Sequence, residues 1–238
     1  MNFIDFDKLA GIGTAEFNAV KPYPYVNPYG LLTEEGFQAL LDNMPELDLF
    51  EQKFGYERRA GQAPHDRYSL EYTPETNVPA PWKAFIDELC SDAYRREIAR
   101  LLGARKPEFR FHWHYTPSGS DVSPHCDARR EHGSHLFYFN SEEDWDPAWG
   151  GATLALDDGG RLDYNSAPPL EAFDNIIEFN SIGNYSALMK RTDHAWHAVR
   201  PIQCPEDRMR RIFIVVVNPD SLRWKIRDRL IGKQIQRF

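Results

Sequence analysis

The chain has 238 residues, 42% of them hydrophobic and 13% aromatic, with a formal net charge of −8. That apolar content suffices for a packed core, and the acidic balance disfavours a nucleic-acid binder, which needs a basic face, while leaving room for a local basic groove. Three widely spaced cysteines (Cys90, Cys126, Cys204) form no disulfide framework and point to a cytoplasmic, reducing setting. No apolar run approaches the roughly 18 residues of a membrane span, and neither a signal peptide nor a membrane partner is expected.

In chain order, "KPYPYVNPYG" (Lys21–Gly30) reads as an ordered loop. "LLTEEGFQALLDNMPEL" predicts a helix, with Thr33 as N-cap and Phe37, Leu40 and Leu41 on its apolar side. The polar stretch Arg58–Arg67 reads as a solvated loop, with a substrate-facing basic loop as the alternative. "DRYSLEY" predicts a strand, because Tyr68, Leu70 and Tyr72 alternate with polar neighbours. Ala80–Gly103 predicts one long helix, with Pro81 at its start and Gly103 at its end.

After Gly103 the apolar period changes from that of a helix to that of a strand. In "EFRFHWHY", Phe109, Phe111, Trp113 and Tyr115 share one face, and Arg110, His112 and His114 share the other. The two histidines are read as polar residues of an outward or rim-facing side. Further short strands are expected around His125–Asp127 and in "SHLFYFN", "ATLAL", "NIIEFN", "AWHAVRPI" and "RRIFIVVV". Gly, Pro and Asp turns separate them, the pattern of a sandwich or jelly roll. The expected organisation is a single domain, mainly β with flanking helices. It comprises a mostly helical portion over 1–103, a β core over 104–220 and a terminal helix over 221–238.

The densest chemistry lies in "SPHCDARREHGSHLFYFN". In a strand, His125 and Asp127 face one side and can offer an imidazole and a carboxylate to a single ion, with Cys126 facing away. "DHAWHAVRPI" holds two candidates for a third ligand, His194 and His197. Two histidines and a carboxylate make the facial set of non-haem Fe(II) oxygenases, which leaves positions open for a cosubstrate and O2. A 2-oxo acid cosubstrate also needs a buried cation for its distal carboxylate, and arginine's fork suits that task.

From Tyr115 to Asp220 the sequence resembles the Fe(II)/2-oxoglutarate-dependent oxygenases, in particular the prolyl-hydroxylase-like branch. The resemblance rests on an ordered series: "HCD", then "YFN" (Tyr138–Asn140), "DWDPAWGGATLAL", "NIIEFN", "HAVRP", and an arginine opening the last core strand. It implies a double-stranded β-helix, or jelly roll, and Fe(II) held by His125, Asp127 and His197, with His194 left as a loop residue. It implies Arg211 as the 2-oxoglutarate clamp, in preference to Arg210 or Arg208, and Tyr115 as a further cosubstrate contact. The implied reaction is hydroxylation of an unactivated C–H in an amino acid, a peptide or protein residue, or a small metabolite. It consumes 2-oxoglutarate and O2, releases succinate and CO2, and takes ascorbate as a supporting reductant. Asp127 argues against halogenation, since halogenases of this type lack that carboxylate. The alternative reading is a cupin-like metal-binding protein or metallo-hydrolase using the same ligands without 2-oxoglutarate. Compact relatives have a shorter link before the distal histidine, so Ser181–Asp193 is expected to be an inserted flap at the substrate entrance.

Overall fold

The computed structural model describes residues 1–56, 58, 61–221 and 238. The terminal helix expected over 221–238 therefore lies outside the described residues, apart from its two ends. Two antiparallel sheets face each other. The strands are β1 (Tyr25–Val26), β2 (Glu51–Lys53), β3 (Arg67–Glu71), β4 (Pro107–Pro117), β5 (Val122–His125), β6 (Gly133–Tyr138), β7 (Thr153–Asp157), β8 (Asn175–Glu178), β9 (Ser186–Lys190), β10 (Trp196–Val199) and β11 (Met209–Pro219). The larger sheet has the order β1-β9-β6-β11-β4-β3-β2, and the smaller β5-β10-β7-β8. This is the jelly roll that the strand pattern predicts.

Side-chain alternation decides what each face does. On β4, Phe109, Phe111 and Trp113 are fully buried on the outer face of the large sheet. On β11, Phe213, Val215 and Val217 share that face. Helices α1 (Phe6–Gly11), α2 (Thr14–Ala19), α3 (Glu34–Leu41), α4 (Ala80–Leu89) and α5 (Asp92–Leu102) pack there. Trp82 of α4 lies 5.1 Å, ring to ring, from both Trp113 and Phe213, and Phe85 lies 5.4 Å from Phe137. Each large apolar side chain buried this way contributes about 1.5–3 kcal/mol. The opposite strand faces turn inward, toward the smaller sheet.

The helical elements refine the sequence reading. Thr33 caps α3 by accepting from the Gly36 N–H at 3.0 Å. The single helix expected over Ala80–Gly103 is two. α4 stops at Cys90, and Ser91 starts α5 afresh by accepting from the Tyr94 N–H. Gly103 ends α5 at φ 67°, a left-handed conformation that favours glycine. The first 103 residues supply the strand expected in "DRYSLEY" as β3, and also two strands that were not expected, β1 and β2, to the large sheet.

The largest correction concerns Ser181–Asp193. Its apolar run "SALMK" is strand β9, hydrogen-bonded between β1 and β6, with Ala187, Leu188 and Met189 all buried. The extra length is a sheet strand and not a flap. Among the described residues no helix is long and apolar enough to cross a membrane.

Candidate metal centre and anion pocket

His125 ends β5 and pairs directly with His197 on β10, which places the two rings 4.2 Å apart. Each imidazole is aimed by its own strand. His125 Nδ1 donates to the Ser123 carbonyl at 3.0 Å, and His197 Nδ1 to the Ala195 carbonyl at 3.1 Å. A carbonyl can only accept, so the proton sits on Nδ1 and the Nε2 lone pair is left for a ligand.

β5 ends at His125, and Asp127 stands just beyond the strand. Alternation persists even so. The Cys126 thiol turns to the outer face, toward the Asp193 carbonyl, and Asp127 turns inward. Asp127 Oδ1 lies 3.6 Å from His197 Nε2 and 4.0 Å from His125 Nε2. One ligand atom from each of the three residues lies within 4.8 Å of the others, the cluster that the sequence assigns to a metal. The second carboxylate oxygen accepts from Ser134 Oγ at 3.2 Å, and Arg191 Nε donates to the Asp127 carbonyl. Burial, followed by the nearby His197 and His65, holds the His125 imidazole well below the usual histidine range, in the neutral form that binds metals.

The three residues open into a cavity of about 260 Å³ between the sheets. Arg210 lies in its wall, on the inner face of β11 with Ile212, Ile214 and Val216. It is 5% exposed, and its Nη2 donates to Thr153 Oγ1 at 3.0 Å. Thr153 Oγ1 also accepts from the Tyr138 hydroxyl, whose ring lies 5.9 Å from the guanidinium. Arg210 Nε has no partner, and no carboxylate pairs with this side chain among the described residues. Burial lowers its pKa to about 10. A cation so placed fits an anionic ligand.

Two expected cosubstrate contacts lie elsewhere. Arg211 is on the opposite face of β11, where its guanidinium pairs with Asp144 and its N–H donates to Asn140 Oδ1. A shift of one residue along a strand reverses the face, and Arg210 occupies the inward position. Tyr115 faces the helices for the same reason. Its ring packs 4.2 Å from that of Phe50, and its hydroxyl donates to the Pro45 carbonyl. The inward positions beside it are His114 and Thr116, which line the cavity.

His112 and His114 thus face inward, correcting the rim reading. Within the Arg58–Arg67 stretch, Gly61, Ala63 and Pro64 are exposed, as a solvated loop requires, but Arg58, His65 and Arg67 line the same cavity. The His65 ring lies 4.7 Å from that of His125, and Nε2 meets Ser123 Oγ at 3.2 Å. The signal for Arg67 was present in "DRYSLEY", where it occupies the polar side opposite Tyr68, Leu70 and Tyr72. Glu131, also in the wall, has its carboxyl pushed up to about 8 by burial and the neighbouring Asp127. His194 is a loop residue, as expected, with Nδ1 2.8 Å from Asp158 Oδ2.

No family model and no curated protein matches the sequence. Solved structures do match its fold. A prolyl-4-hydroxylase from Pseudomonas putida aligns at a TM-score of 0.59 and 16% identity, over 87% of this chain and 98% of that one. A prolyl hydroxylase from Trichoplax adhaerens, in complex with a hypoxia inducible factor peptide, aligns at 0.60 and 14%, over 96% and 94%. SnoK, a non-heme alpha ketoglutarate dependent carbocyclase from nogalamycin biosynthesis, aligns at 0.60 and 12%, over 96% and 95%. At these identities the likeness establishes the fold.

Proposed function

We propose, on the premise of a jelly roll held in common with the 2-oxoglutarate/Fe(II) oxygenases, that this chain is such an oxygenase of the prolyl-hydroxylase-like branch. It hydroxylates an unactivated C–H of an amino acid, a peptide or protein residue, or a small metabolite, in the cytoplasm. The observation that carries the reading is the presence, in one cavity, of the His125–Asp127–His197 cluster and the unpaired cation of Arg210.

The donor set fits the metal. Two neutral imidazole nitrogens and one carboxylate oxygen suit Fe(II) and leave further positions open. Bound Fe(II), with 2-oxoglutarate and O2, supplies an oxidant that removes hydrogen from carbon, with release of succinate and CO2. The chain's part is positional. The Ser123 and Ala195 carbonyls fix the imidazoles, and Ser134 orients Asp127. Arg210, steadied by Thr153 and the Tyr138 ring, takes the distal carboxylate of 2-oxoglutarate. Leu136, Val199 and Ile212 give the cavity apolar walls that limit water. Asp127 occupies the place that a halogenase of this type leaves for chloride, which favours hydroxylation.

A metallo-hydrolase or cupin-like protein with the same ligands leaves Arg210 without a task. Calorimetric titration of 2-oxoglutarate into metal-loaded protein separates the readings. Saturable binding that depends on the metal and is weakened in Arg210→Gln is expected, together with succinate formation that needs Fe(II) and O2 and is prolonged by ascorbate. Metal-loaded protein that ignores 2-oxoglutarate overturns the proposal.

A further inference from the structure

Arginines elsewhere in the fold are mostly paired with carboxylates: Arg110 with Glu71, Arg100 with Glu97, Arg161 with Asp174, Arg200 with Glu178 and Arg211 with Asp144. The cavity departs from this pattern at Arg210 and at two further positions. Arg67 spends its guanidinium on the His65 carbonyl, at 2.7 Å, and on His114 Nε2, at 3.4 Å. Arg58 contacts the His65 ring. Neither forms an ion pair with a carboxylate among the described residues. Both lie in the cavity wall beside His65, whose ring touches that of the metal ligand His125.

Burial depresses the pKa of both guanidiniums, that of Arg58 to about 10. Arg67 and Arg210 enter the cavity from different strands and are held by different partners, the His65 carbonyl and Thr153 Oγ1. β3 and β11 lie on either side of β4, which separates their backbones by about 10 Å. Arg58 and Arg67 are both half-buried, and Asp127 and Asp66, which attract them respectively, do not reach ion-pair distance, so both cations keep the capacity to take an anionic ligand.

We infer that Arg67 and Arg58 form a second anion site, distinct from that of Arg210, which holds a carboxylate of the primary substrate beside the metal. The inference rests on the oxygenase reading and narrows its substrate class to carboxylate-bearing molecules. Arg67 is the main contact, because its strand fixes it and its fork can hold a carboxylate with two parallel hydrogen bonds. The carboxylate could belong to a free small acid or to an acidic residue of a peptide.

The test uses the full chain loaded with Zn(II) and saturated with 2-oxoglutarate, titrated with propionate, with its neutral isostere propionamide, and with a capped Gly-Glu-Gly peptide. Propionate or the peptide should bind saturably with one site per chain, and propionamide at least tenfold more weakly. Whichever carboxylate binds better identifies the source. Arg67→Gln should reduce carboxylate binding at least tenfold and leave the 2-oxoglutarate affinity within about twofold. Arg58→Gln, which lies outside the sheet, should act in the same direction and guards against misfolding of the strand variant. Equal binding of propionate and propionamide, no saturable carboxylate binding, or loss of 2-oxoglutarate affinity in Arg67→Gln overturns the inference. Failure of the wild-type protein to bind 2-oxoglutarate strikes the oxygenase reading instead, and the same carboxylate titrations without it still decide this one.

Discussion

Arg210 and Arg211 are chemically identical neighbours that differ only in the face of β11 from which they project. Arg210→Gln should weaken 2-oxoglutarate binding about 10- to 150-fold, the worth of a charged hydrogen bond of roughly 1.5–3 kcal/mol. Arg211→Gln should leave that affinity unchanged, since its guanidinium is engaged with Asp144 on the far side of the sheet. Calorimetry on the two variants reads the difference directly, and the reverse order would restore Arg211. At the metal, His125→Ala, Asp127→Ala and His197→Ala should each abolish tight Fe(II) binding, measured by equilibrium dialysis, and with it turnover. Ser134→Ala should be milder. It frees one Asp127 oxygen without removing a ligand, and such supporting contacts are typically worth 10- to 100-fold in metal affinity or activity.

At the level of elements, β9 stands where a flap was expected. Leu188→Ala should cost about 2–5 kcal/mol in denaturant unfolding, as for other buried leucines, because the side chain is 1% exposed under the helices. A surface flap would show almost no loss. The break between α4 and α5 makes a smaller prediction: Ser91→Ala removes an N-cap and should cost about 0.5–2 kcal/mol in the same measurement. Strands with strict alternation were legible from the sequence, as were the Thr33 cap and the His125–Asp127 pair, because each is set by local spacing, whereas the choice of His197 over His194 came from the family resemblance. Which arginine turns inward was not. The count from His197 to the last strand crosses an irregular loop, and a slip of one residue reverses the face. β9 was hidden because a short apolar run has no signature that separates a core strand from an apolar patch on a loop. The role of Arg67 depends on β3 joining β4, a pairing between distant segments that no local pattern reveals.

The whole molecule carries several imidazoles in places that disfavour their charge. His135 is fully buried, with Nδ1 2.9 Å from the Tyr94 hydroxyl, and burial lowers its pKa to about 3. Burial, with Arg110 and Arg67 nearby, does the same to His112, also to about 3. In the unfolded chain both take a proton near pH 6.5, so between about 6.5 and 3 the unfolded state binds more protons than the folded one. Stability contributed by these groups is therefore complete above pH 6.5 and lost as pH falls toward 3. The slope is up to about 1.4 kcal/mol per pH unit for each imidazole. Urea titrations at stepped pH should show this decline, and His135→Gln, which can still accept from Tyr94, should flatten it. The pairing of His125 with His197 has a consequence for the lifetime of the protein. Among the described strands β5, a four-residue edge strand, pairs with β10 alone, through an irregular register, and its last residue is the proposed metal ligand His125. An ion gripping both strands would act as a removable rivet at this edge of the smaller sheet. Amides of β5 should exchange with deuterium faster in stripped protein than in protein loaded with Zn(II), and proteolysis of the stripped form should start at that edge. A cell short of iron would then lose this protein by degradation as well as by inactivity.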